Sequence, residues 1–147
     1  MKNRPIVFLL ILFLASQCSQ KEAIVAPKIA TLIGTWQLID ADSSYAVTLT
    51  FAYDSANPPH DITPFLANGK AAINTYTLRL FATLDGVLVA DNLASTYVSG
   101  PPEAMAFEQA YLTNLKAAVR YDVTKDDHLR VYHAGAQPHV MEYKRIN

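Results

Sequence analysis

Four histidines, one cysteine and a single carboxylate on an otherwise apolar helix face are the side chains whose chemistry can be tested against their spacing. The histidines are His60, His128, His133 and His139. A zinc centre needs three or four converging ligands. Residues five apart in an extended strand face opposite sides, which sends His128 and His133 apart, and a turn separates His133 from His139. The expectation is no metal site. Asp126 and Asp127 follow Lys125 in a turn-forming stretch that lacks the alternating oxygen ligands of a calcium loop. The serines at 43, 44, 55, 95 and 99 lie in no nucleophile-elbow context. The glycines are scattered singly at 34, 69, 86, 100 and 135, which makes no phosphate-cradling loop. These residues point to a protein that is not an enzyme and needs no cofactor.

Cys18, the one cysteine, takes its meaning from what precedes it. Lys2 and Arg4 are followed by an unbroken apolar run over residues 6–15 and then by Ser16 and Gln17, the pattern of a secretory signal. Ten apolar residues rise only ~15 Å as a helix, about half of a hydrocarbon core, so residues 1–17 read as a signal peptide that is removed. Leu14, Ala15, Ser16, Gln17 and Cys18 resemble the lipobox of bacterial lipoproteins, whose cysteine is diacylated and becomes the new N-terminus. Gln17 stands where the lipobox prefers a small residue, and ordinary cleavage near Ser16 is the competing reading. Acyl chains, at ~0.8 kcal/mol per buried methylene, hold a domain on a membrane without any basic patch. Residues 18–30 then form a lipidated N-terminus and tether, polar and interrupted by Pro27, and residues 31–147 form the folded domain. The expected location is the cell envelope, membrane-bound through the lipid and facing the periplasm or the cell surface.

Charge supports the exclusions. Twelve Lys and Arg oppose thirteen Asp and Glu, a formal net charge of -1 with no block of like sign, so no electrostatic footprint for nucleic acid exists. Eight Tyr, six Phe and one Trp in 147 residues supply a core for one domain and exclude a wholly disordered chain.

The elements that must carry these residues are mostly strands. Tyr45, Val47, Leu49, Phe51 and Tyr53 alternate with Ala46, Thr48, Thr50 and Ala52, giving one dry and one wet face. An earlier strand over residues 32–39 has Trp36 as its core anchor. Residues 54–64, with three prolines among Asp, Ser, Asn and His, read as a loop. Further strands are expected at residues 71–81, 86–90, 120–124, 128–133 and 139–145, connected closely enough for an antiparallel meander. Pro101, Pro102 and Glu103 open one helix, expected to run over residues 104–119. Met105, Phe107, Tyr111, Leu112, Leu115 and Val119 fall on one side of it, and Gln109, Thr113, Asn114 and Lys116 on the other. Glu108 interrupts the apolar arc. It reads either as a buried acid of raised pKa in a pocket or as a core carboxylate accepting hydrogen bonds.

Taken in order, these segments resemble the META domain, the HslJ-like family of small bacterial envelope proteins. The matching residues are Leu32, Gly34, Thr35 and Trp36; Leu49, Thr50 and Phe51; Gly69 and Asn74; Thr96 and Gly100; Glu108, Tyr111, Leu112 and Leu115; and the strands around Leu129 and Tyr143. The chain departs from the family at Ile73 and Gly100, where many members carry cysteine. The resemblance implies an α+β fold, a strongly curved antiparallel sheet or incomplete β-barrel with one packed helix, and no known reaction. Glu108, Asn74 and Thr96 are expected to form a structural polar cluster in which Glu108 caps or cross-links a strand.

Two functions fit. One is a lipid-anchored structural or interaction domain that meets an unidentified envelope protein and supports envelope integrity or stress tolerance. The other is a carrier or chaperone for a hydrophobic, acyl-chain ligand in a half-open barrel lined by Tyr45, Leu49, Phe51, Tyr76, Leu78 and Leu80.

Overall fold

The computed structural model describes residues 26–39, 44–57, 61–135 and 139–147. The signal peptide, Cys18, the tether as far as residue 25 and His60 lie outside the described residues.

Among the described residues, eight strands form one antiparallel sheet: β1 (Gly34–Leu38), β2 (Thr48–Tyr53), β3 (Thr63–Lys70), β4 (Thr75–Ala82), β5 (Leu88–Ser95), β6 (Ala118–Val123), β7 (His128–His133) and β8 (His139–Arg145). Their order is β5-β4-β3-β2-β1-β8-β7-β6, so two meanders meet where β1 pairs with β8. The outer strands β5 and β6 approach at Val87 and Arg120, and the Tyr121 amide donates to the Gly86 carbonyl at 2.8 Å. Gly86 reaches this seam at a φ of 90°, a conformation that costs glycine nothing. The result is a nearly closed barrel with one long packed helix, the α+β class expected.

The alternation along β2 and the residue before it turns Val47, Leu49 and Phe51 inward, where they pack with Trp36, Phe65, Leu80 and Tyr143. The Trp36 indole N–H donates to the Leu32 carbonyl at 2.8 Å, and the Arg145 guanidinium lies 4.1 Å from the centre of its ring system. Gly69 stands where β3 is crowded by its neighbours on both sides. A Cβ there would overlap the Thr48 carbonyl and the Tyr76 hydroxyl.

The structure corrects the sequence reading of several segments. Residues 63–70 are a strand, not the end of a loop followed by unassigned chain. Pro64 is the second residue of β3, near the strand end, and its carbonyl accepts from the Asp54 amide at 3.3 Å, so the missing N–H breaks little of the ladder. The strand expected over residues 71–81 therefore begins at Thr75, after a turn. β5 extends to Ser95, beyond the expected residue 90. The long helix, α2 (Pro102–Lys116), stops short of residue 119, and Val119 is 42% exposed on β6 instead of lying on an apolar helix face.

Each end of the barrel is covered by helix. A short helix, α1 (Pro27–Ala30), lies in the segment expected to be tether, yet its Ile29 is only 3% exposed. It covers the end where β4 turns into β5, and Lys28 Nζ donates to the Leu84 carbonyl at 3.0 Å. The opposite end holds the β3–β4 turn and is crossed by α2, whose buried residues are Ala104, Glu108, Tyr111 and Leu115.

Candidate functional site

The end of the barrel crossed by α2 holds the polar chemistry. Positions 104, 108, 111 and 115 follow one helical stripe, and that stripe points Glu108 at the β3–β4 turn. Glu108 Oε2 accepts the Ile73 amide at 2.9 Å and the Asn74 amide at 2.8 Å, while Oε1 accepts Asn74 Nδ2 at 2.6 Å. Asn74 passes the connection onward: Nδ2 also donates to the Val98 carbonyl at 3.2 Å. Its Oδ1 accepts the Thr96 hydroxyl at 2.9 Å and the Val98 amide at 2.7 Å. Glu108, Asn74 and Thr96 thus stand in one network joining the helix, a turn and the segment after β5.

Burial pushes the Glu108 carboxyl up, but the Asn74 amide, the Asn74 side chain and the Ile73 amide together hold it below the ordinary glutamate range. The reading of Glu108 as an acid of raised pKa is corrected accordingly. An ionised carboxylate occupied by three N–H donors is a clamp and has no proton to give at neutral pH.

A second buried network was invisible in the sequence. The Tyr76 hydroxyl donates to the Thr48 carbonyl at 2.7 Å, which leaves it to accept from Tyr111 at 2.7 Å, and the Tyr143 hydroxyl lies 3.3 Å from Tyr111. Burial raises all three phenols well above their ordinary value. Tyr76, Tyr111 and Tyr143 lie on different elements, far apart in the chain, so no local spacing marks them as partners.

Of the residues proposed to line a ligand chamber, Leu49, Phe51, Tyr76, Leu78 and Leu80 are buried in the common core. Tyr45 is half-buried, with its ring 5.1 Å from that of Phe107. The interior is filled by its own side chains at these positions.

One accessible concavity lies outside the barrel, beside the long helix. A cleft of about 470 Å³ runs between α2 and the ends of β1, β7 and β8; its lining includes the apolar Leu38, Ile39, Phe107, Val140 and Met141 and the polar Tyr111, Asn114, His133, His139 and Glu142. Here the sequence reading of the histidines needs correction. The pairing of β7 with β8 sets His133 and His139 directly opposite each other, ring centres 6.1 Å apart. His128 lies on the other face and meets Glu142 at 3.1 Å. Asp126 and Asp127 sit in the β6–β7 turn, where Asp127 is 3.5 Å from Arg145.

Comparison with known proteins agrees with this architecture. The family model of the META domain matches residues 30–145. An NMR structure of a protein from Burkholderia xenovorans superimposes with a TM-score of 0.59 at 21% identity, covering 84% of this chain and 94% of that one, a likeness of fold alone. No curated protein matches the chain.

Proposed function

Because the chain belongs to the META domain family, we propose that it is a non-enzymatic, lipid-anchored envelope protein with a structural or interaction role, including support of stress tolerance. The observation that carries this reading is the filled barrel closed at both ends: its polar groups are spent on holding helix and strands together, and its accessible features are external. The signal pattern and the position of Cys18 support export and acylation. Seven residues lie between Cys18 and Ala26, eight Cα-to-Cα steps, so the tether spans at most ~28 Å and would keep the α1 end near the bilayer. The cleft between α2 and β8 would then lie at the end of the barrel away from the membrane, available to another envelope component.

The test is to label cells with a fatty-acid analogue and compare the native chain with Cys18→Ser. Label on the native chain, absent from the variant, is expected, with the protein in the membrane fraction. An unlabelled native chain would return it to a soluble exported state.

A second reading rests on the cleft itself. Its volume and apolar lining suit a hydrophobic ligand outside the barrel, on Leu38, Ile39, Phe107, Val140 and Met141. Native mass spectrometry of the purified protein would show a co-purified adduct, lost on Phe107→Asp, if the cleft carries such a ligand.

A further inference from the structure

We propose that His133 and His139 bind one divalent ion of borderline softness, Cu²⁺, Ni²⁺ or Zn²⁺, at the cleft between α2 and β8. The two residues are direct partners across the β7–β8 ladder and therefore share a face of the hairpin. Their ring centres are 6.1 Å apart at an interplanar angle of 45°. Two imidazoles on one ion, each at ~2.1 Å through nitrogen, place their ring centres roughly 5–6 Å apart, so a small side-chain rotation brings both nitrogens to a common point.

The two rings are placed differently. His133 is 4% exposed and held by the packed hairpin, with its Nδ1 3.4 Å from the Ala134 carbonyl, a contact that would leave Nε2 for the ion. His139 is exposed and free to rotate onto the ion. Both line the cleft, so solvent and ligands reach the point between them.

No third His, Cys, Asp or Glu joins them in a metal-binding group among the described residues. The remaining coordination positions therefore go to water, to the Asn114 amide oxygen on the cleft wall, or to a donor brought by whatever occupies the cleft. A site with two protein ligands ranks ions by intrinsic affinity, with Cu²⁺ the tightest. The site does not depend on the lipid anchor.

The exported chain carrying Cys18→Ser, which removes the thiol, is titrated with Cu²⁺ and followed by calorimetry and electron paramagnetic resonance. One equivalent with two nitrogen ligands is expected. His139→Ala, at an exposed position, weakens it at least ~10-fold, while His60→Ala and His128→Ala leave it unchanged. Saturating Cu²⁺ also raises the melting temperature of the parent chain and not that of folded His139→Ala. Equal binding by parent and His139→Ala, or weak binding spread evenly over the four histidines, means adventitious ions only and overturns the proposal.

Discussion

At the scale of single residues, Glu108 is a buried carboxylate held by three N–H donors. Replacing it with Gln turns one acceptor into a donor that faces amides already donating, and removes the charge from the remaining hydrogen bonds. A loss of ~1.5–3 kcal/mol follows, seen as a fall in melting temperature of roughly 5–15 °C. The pH dependence has a definite sign. Since Glu108 is held below its ordinary value, its contribution is complete above about 4.5 and is lost as pH falls through the lowered value. The native chain should lose melting temperature more steeply than Glu108→Gln on acidification below that point. Equal melting temperatures for the two chains at neutral pH would remove Glu108 from its assigned role. That Glu108 must be satisfied was legible in the sequence, because a carboxylate on an apolar stripe admits few alternatives. Which donors satisfy it was not, for two of the three are backbone amides and leave no trace in residue type.

At the scale of elements, the misread segment is instructive. β3 contains Pro64, Asn68 and Gly69, each a strand breaker by composition, yet it pairs with β2 on one side and β4 on the other. Pro64 is harmless near the strand end, and Gly69 is needed where β2, β3 and β4 crowd together. Gly69→Ala is expected to lower stability by upwards of ~2 kcal/mol, since the obstacle includes the Thr48 backbone, which cannot rotate away. Chemical denaturation against the native chain measures it; an unchanged midpoint would show that the curvature relaxes freely. The early end of α2 has a similar lesson. Val119 fits the helical period, but the chain turns at Ala117, whose amide bonds back to Thr113 and Asn114, and the next residues join a sheet whose partner β7 is still to come. Periodicity within a window does not register a competing long-range ladder.

At the scale of the molecule, closure depends on two features with weak sequence signatures. The β5–β6 seam is made by the backbone at Gly86, Val87, Arg120 and Tyr121, and the resemblance to a curved-sheet family, not the hydrophobic pattern, anticipated it. The α1 cover rests on Ile29 in a segment that composition assigned to the tether. Ile29→Ala should cost about 2–5 kcal/mol, the range for a large core truncation, whereas a true tether residue would cost nothing measurable; calorimetric melting of the two chains distinguishes them.

The seating of α1 has a mechanical corollary. Any pull on the chain ahead of Ala26 is delivered first to Ile29 and to the Lys28 contact with Leu84, before it can act on the ladder between β1 and its neighbours. That short plug would work as a fuse: under tension it yields early and lengthens the leash, while the eight strands beyond it stay folded.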